Sequence, residues 1–225
     1  TIDPESSLGI FHLDQRLWND EYRNTLRDFF TEVRDNQIKY IAVDLRRNGG
    51  GNSNVIYEFL KSLDVDRYMP LGVEIRYSQA SAEQRKTPKR GIKKYNNKKS
   101  RRNRKHADSS MLFNGQLYVL TSPSTFSSAM DFALIIKDNC LGTIIGEPTG
   151  NQPTCYGDSL KFQMPNSGFK FSVSFKYWIR PVPANDPEDA VYPDIPISTT
   201  IEDFLQKRNP QLEKIKELIG KDQGN

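Results

Sequence analysis

Cysteine and histidine, which carry much of enzyme chemistry, are scarce in this chain of 225 residues. There are two cysteines, Cys140 and Cys155, and two histidines, His12 and His106. Two cysteines are too few for a disulfide framework, and their spacing is not that of metal ligands, so buried bystanders are expected. No apolar run approaches the roughly 20 residues that a membrane helix needs. No signal-peptide pattern opens the chain, and no internal repeat is visible. Two common nucleotide signatures are also missing. The glycines at 49–51 are followed by Asn52-Ser53-Asn54 instead of the Lys-Ser/Thr of a phosphate loop, and the dinucleotide glycine spacing is absent. Acids are lacking from Arg85 to Lys105, where twelve basic residues fall. Setting those twelve aside turns the formal net charge of +4 into −8 for the rest. The chain is therefore an acidic body carrying one basic segment. That segment has a single aromatic residue, Tyr95, and serves base stacking poorly, so specific nucleic-acid binding is not expected. Attraction to an anionic surface or an acidic substrate is the remaining use for it.

What is present suits a globular α/β domain. Hydrophobic residues make up 36% and charged residues 27%. Leu8 to Asp14 reads as a short strand. From Asn19 to Asn36, the apolar residues Tyr22, Leu26, Phe29, Phe30 and Val33 share one helical face, with Asn19 or Asp20 as cap. Ile38 to Leu45 is a near-continuous apolar strand of the kind buried on both sides. The glycine turn follows, then a helix from Ser53 to Leu63 and a strand from Gly72 to Ser78. From Arg85 to Ser110 the chain has almost no apolar content and repels itself, so a mobile insertion over about 79–110 is expected. A strand from Gly115 to Ser122, a helix from Thr125 to Asp138 and a strand from Gly142 to Glu147 come next. Asp158–Met164 and Phe169–Ile179 form an antiparallel pair around "PNSG". Two short tail helices are broken at Pro210. This strand–helix alternation argues for a layered α/β core.

Two features draw chemical attention. Gly49, Gly50 and Gly51 sit between a buried strand and a helix, where exposed N–H groups favour an anion or a developing oxyanion. A plain turn would look the same. The stretch "TSPSTFSS", Thr121 to Ser128, packs six hydroxyls into eight positions at a strand-to-helix junction. Capping accounts for one or two of them, with Ser124 a plausible cap. A nucleophile at the helix mouth would account for another.

Three segments in this order resemble the tail-specific (C-terminal processing) and tricorn-like serine protease family. "IAVDLRRNGGG" is similar to its Asp-Leu-Arg strand and glycine turn. "LYVLTSPSTFSSAMDFA" is similar to its nucleophile strand and helix. "GTIIGEPTGNQPT", with "VYPDIPI" downstream, is similar to its Gly-Glu-Pro-Thr loop and closing Pro-Asp segment. The resemblance spans roughly Leu8 to Ile197. It implies an α/β crotonase/ClpP-like layered core with a β-hairpin and C-terminal helices, acting as a serine-type peptidase on peptides or unfolded proteins without a cofactor or metal. Ser127, nineteen residues before Gly146, takes the nucleophile position, and Ser128 and Gly50 take those of the oxyanion donors. An acid just before the Pro-Asp segment points to Glu188 or Asp189, and less well to Asp186.

The base departs from the pattern. Gln152 stands where the Ser-Lys branch has lysine, and an amide has no basic form. The histidine-dependent branch fits better, but its Asp-x-His-Thr segment is absent. His12 reads as a structural strand residue and His106 as a solvated one beside Arg104 and Lys105. Asp44, at the end of a buried strand, is expected to pair with Arg46. The resemblance thus implies one protease core over residues 1–225, with an upstream domain missing from a chain that starts at Thr1, and a base supplied from outside it. Export or display at the cell surface follows family habit; a cytoplasmic place is the alternative. A catalytically degenerate peptide-binding protein on the same scaffold is the other reading.

Overall fold

The computed structural model describes residues 1–15, 17–95, 100–105, 111–181 and 189–223. Along the chain run β1 (Ile2–Asp3), β2 (Leu8–His12), α1 (Asp20–Asp35), β3 (Tyr40–Asp44), α2 (Asn54–Lys61), β4 (Arg67–Tyr68), β5 (Gly72–Tyr77), α3 (Gln79–Arg85), β6 (Gly91–Tyr95) and β7 (Arg101–Arg102). They are followed by β8 (Gln116–Thr121), α4 (Ser128–Asp138), β9 (Thr143–Gly146), β10 (Cys155–Gln163), β11 (Lys170–Ile179), β12 (Ile195–Pro196), α5 (Ile201–Leu205) and α6 (Pro210–Gln223).

The main sheet has the order β1-β2-β3-β8-β9-β12. It is parallel from β2 to β12, and β1 joins antiparallel. The side chains of β3 alternate between two cores, as a strand period of two requires. Ile41 and Val43 face the larger core with residues of α1, α2 and α4. Tyr40 and Ala42 face a smaller one with Ile215 and Ile219 of α6. The result is a helix–sheet–helix sandwich, the layered core anticipated from the alternation. Helix α1 forms where the apolar stripe suggests. The Asn19 side chain accepts from Tyr22 N–H at 2.9 Å, and Asp20 and Glu21 sit in the first turn. In α4, every residue from Ser128 to Ile136 is buried, so this helix lies inside the molecule and its mouth has to reach the surface.

A second sheet, β10-β11-β5-β6, is antiparallel throughout. In the stretch 79–110, where the sequence suggested a mobile insertion, the described residues include α3, β6 and β7, while 96–99 and 106–110 lie outside the described residues. Helix α3 is fixed by a capping box between Ser78 and Ser81. The Gln84 side chain bonds both backbone groups of Lys161 on the edge of β10. Strand β6 pairs along β5, with Lys94 reaching Glu74 at 2.6 Å. Repulsion within the segment is offset by partners from elsewhere: Glu74 for Lys94, Asp158 for Arg85, and Asp64 and Asp66 for Lys105.

Candidate active site

Strand β8 ends at Thr121 and α4 begins at Ser128. From Thr121 to Ser127, three of the five hydroxyls hold the backbone. Thr121 donates to Glu147 O at 2.8 Å, Ser122 to Arg46 O at 2.6 Å, and the wholly buried Thr125 to Leu45 O at 2.9 Å. Ser122 Oγ also accepts the Ser124 N–H, so Ser124 is no helix cap. Ser127 occupies the cap position, but with φ +53° and ψ −127° its side chain caps nothing. Its Oγ is exposed and has no hydrogen-bond partner among the described residues.

That backbone conformation is strained for a residue with a side chain, at a cost of about 1–3 kcal/mol. It persists because its neighbours are tied down. Ser127 N–H donates to the Asn151 side-chain oxygen at 2.6 Å. Phe126 N–H donates to Asn48 O at 3.0 Å, and Gly150 N–H to Thr125 O at 2.9 Å. The strained turn aims one hydroxyl out of a buried helix, the geometry of a nucleophile on a strand-to-helix turn. The Ser128 N–H, first in the helix, has no backbone acceptor among the described residues and lies where the helix dipole favours negative charge.

The glycine turn lies directly against this serine. A methyl group added to Gly50 would sit 2.8 Å from Ser127 Cβ and 3.2 Å from Ser128 N, and Gly50 has φ +103°. Only glycine fits there. Its own N–H, however, donates to the side-chain oxygen of Asn48 at 2.9 Å. Asn48 is wholly buried and also donates to Leu13 O, so one side chain ties the glycine turn to the end of the sheet.

The structure therefore brings Ser127, Ser128 and Gly50 together. Asp189 is exposed and accepts from the Tyr192 hydroxyl at 3.2 Å. Its segment is strapped to the same neighbourhood, since Val191 and Thr149 exchange bonds of 2.9 and 3.1 Å one residue before Gly150. Glu188, Asp186 and His106 lie outside the described residues. Gln152 is exposed.

His12 closes β2, where it was expected inside a strand, and its side chain is 51% exposed, with Nδ1 3.6 Å from Asp44. Asp44 pairs with Arg46 as anticipated, through two bonds of 2.9 and 2.7 Å. Burial pushes the Asp44 carboxyl up, but the hydrogen bonds and charge of Arg46 outweigh it and hold the group below the usual carboxylate range. Cys155, partly buried, has its thiol pushed up by burial and then by the Asp131 charge, which disfavours thiolate chemistry. Among the described residues, no group of three His, Cys, Asp or Glu side chains is placed to hold a metal.

Sequence reasoning missed Asn48 and Asn151. Each sits beside a glycine, in "RRNGGG" and "TGNQP", where an asparagine able to bond nearby backbone is the available signal.

A profile of peptidase family S41 matches residues 7–197. Among solved structures, mature CPAF superposes with a TM-score of 0.71 at 16% identity, covering 96% of this chain and 52% of its own. A candidate peptidase from Parabacteroides merdae gives 0.65 at 17%, covering 96% and 62%. The photosystem II D1 C-terminal processing protease gives 0.58 at 20%, covering 88% and 45%. The chain thus spans between 45% and 62% of the length of these three. No curated protein matches it by sequence. No described helix is long and apolar enough to cross a membrane.

Proposed function

The chain belongs to peptidase family S41, and from that premise we propose that it is the core of a serine-type peptidase with Ser127 as nucleophile. The carrying observation is a hydroxyl at a helix mouth that neither caps nor bonds, held outward by a strained turn. Ser127 Oγ attacks the peptide carbonyl carbon, and its proton passes to a base. The carbonyl oxygen becomes an oxyanion facing the Ser128 N–H. Gly50 N–H joins as second donor when it turns from, or is shared with, the Asn48 oxygen. One good donor is worth roughly 3 kcal/mol of barrier. The proton then goes to the leaving amine as the C–N bond breaks, and water releases the acyl-enzyme.

The base in this reading is a histidine outside the chain: the sequence has no Asp-x-His-Thr segment, and Ser127 has no basic partner among the described residues. Glu188 or Asp189 would orient that imidazole. An upstream domain over and above the core of residues 1–225 would supply it. Peptides and unfolded proteins are the substrates. Export or cell-surface display is the family-based part of the proposal, and fractionation of the producing cell tests it.

The decisive test compares a longer form of the protein with its Ser127→Ala variant in a peptide-release assay. Release that disappears with Ser127 upholds the reading. Equal release sinks the assignment, and peptide binding without release in either form favours a degenerate binding protein.

A further inference from the structure

Residues 101–105 of the basic segment, read in sequence as an insertion, form one wall of a groove. Strand β7 pairs with β4, placing Arg67 opposite Arg102 and Tyr68 opposite Arg101. The buried Asn103 anchors it, donating from its side chain to Leu60 O at 2.6 Å and from its backbone to Asp66 O at 2.8 Å. The groove measures about 860 Å³ and is lined by Arg67, Arg101, Arg102, Arg104 and Lys105 against one acid, Asp66. Lys105 is engaged by Asp64 and Asp66, both at 2.7 Å. Arg67 is turned to Ser100. No described carboxylate lies within ion-pair distance of Arg101, Arg102 or Arg104, although the Asp66 carboxyl, held below its usual range mainly by Lys105, is lowered also by the charge of Arg102.

A second hollow shares the arginine wall of the groove and leads along the helix that follows the glycine turn. It measures about 260 Å³, is lined by Arg101, Arg102 and Arg104, and reaches Asn54 and Tyr57 on α2. Asn54 is the first residue of α2, three residues after Gly51 of the glycine turn. The eight residues of α2 span about 12 Å, which an extended peptide crosses in roughly four residues.

We propose that this groove docks an acidic stretch of the polypeptide substrate, beginning roughly four residues from the bond that is cut. The choice of occupant rests on the peptidase reading above. Charge complementarity supports it: three arginines, none within ion-pair distance of a described carboxylate, stand on a chain whose remainder is net acidic. A nucleic acid fits worse. Three aromatic residues line the hollow, but their faces are taken. Tyr57 stacks on Tyr68 and lies under Arg101, and Arg23 covers Trp18. Bases have little open ring to stack on.

The test is binding to the Ser127→Ala protein, read by fluorescence anisotropy, so that cleavage plays no part. The probe is a short fluorescent peptide of alternating Glu and Ser, compared with its Gln-for-Glu counterpart. The Glu peptide should bind, and weaken as salt rises toward physiological strength. In the Arg102→Gln/Arg104→Gln variant it should bind about tenfold more weakly, the sum of two exposed ion pairs at the upper end of their usual range. Arg102→Lys/Arg104→Lys should keep most of the affinity. Equal binding of the Gln peptide, or no change in the Gln variant, overturns the proposal. So does tighter binding of single-stranded oligothymidylate or of phosphatidylserine vesicles than of the Glu peptide. A bound Glu peptide that the longer protein fails to cleave upholds the groove and sinks the peptidase reading. Cleavage of neutral peptides without Glu binding does the reverse.

Discussion

The end of the main sheet carries two polar clusters that look interchangeable in a list of residue types. Around Ser127 there is an exposed hydroxyl, a helix N–H without a backbone acceptor and a glycine turn, with no basic partner for the hydroxyl among the described residues. Around His12 there is an imidazole beside a carboxylate, with Ser122 on the wall of the same 450 Å³ hollow. The second cluster holds the three residue types of a serine–histidine–aspartate triad, and its geometry refuses the role. Asp44 is locked to Arg46 through both oxygens, and the Ser122 hydroxyl is bonded to Arg46 O. The first cluster shows no base among the described residues, yet its hydroxyl has no described partner and is held outward by a strained turn. What sets the first cluster apart is an unsatisfied group held at a cost, more than the presence of the right side chains.

This contrast can be broken experimentally, and the largest effect is on turnover. In the longer protein, Ser127→Ala should lower kcat by roughly 10⁴-fold or more, while Ser122→Ala and His12→Gln should leave it within about threefold, as groups outside the reaction do. A loss with His12→Gln matching that of Ser127→Ala would merge the two clusters and contradict the distinction.

Next come the residues that hold the strained turn. Gly50→Ala forces a side chain into contact with Ser127 at a positive φ. It should cost about 2–3 kcal/mol of stability in denaturant unfolding and abolish release. Thr125→Val leaves the Ser122 N–H and Leu45 O without their partner and should cost about 1–3 kcal/mol. Asn151→Ala removes the acceptor of Ser127 N–H, so kcat should fall about tenfold, a loss of near 1.4 kcal/mol typical of one such hydrogen bond, with KM little changed. An Asn151→Ala enzyme with full kcat would show that the turn holds itself.

The smallest effect concerns the other cluster and pH. The folded-state pKa of Asp44 is depressed, so its stabilising contribution is present above the ordinary carboxylate value of about 3.9 and is lost as pH falls through the folded value. Acid unfolding should therefore start at higher pH in Arg46→Gln than in the parent. Identical acid profiles would remove Arg46 as the cause.

The core was readable because burial writes itself into periodicity. The stripe of α1 and the all-apolar β3 need no partner to be recognised. The two-sided burial of β3 came out as the pattern demanded. Strands β6 and β7 were not readable, because what holds them is Glu74, the β4 backbone and Asn103, and cross-chain pairing leaves no local mark. At the site, the turn and its serine could be found from spacing and family resemblance. The engagement of Gly50 N–H by Asn48, and the support of Ser127 by Asn151, depend on side-chain directions that composition does not encode.

The most direct measurement is a crystal structure of the longer protein with a peptidyl boronate bound. The expected result is a boron bond to Ser127 Oγ, with a boronate oxygen within hydrogen-bond reach of Ser128 N–H and the Gly50 turn alongside. Boron attached to another hydroxyl of the turn, or to Ser127 with its oxygens facing solvent away from those amides, would contradict it.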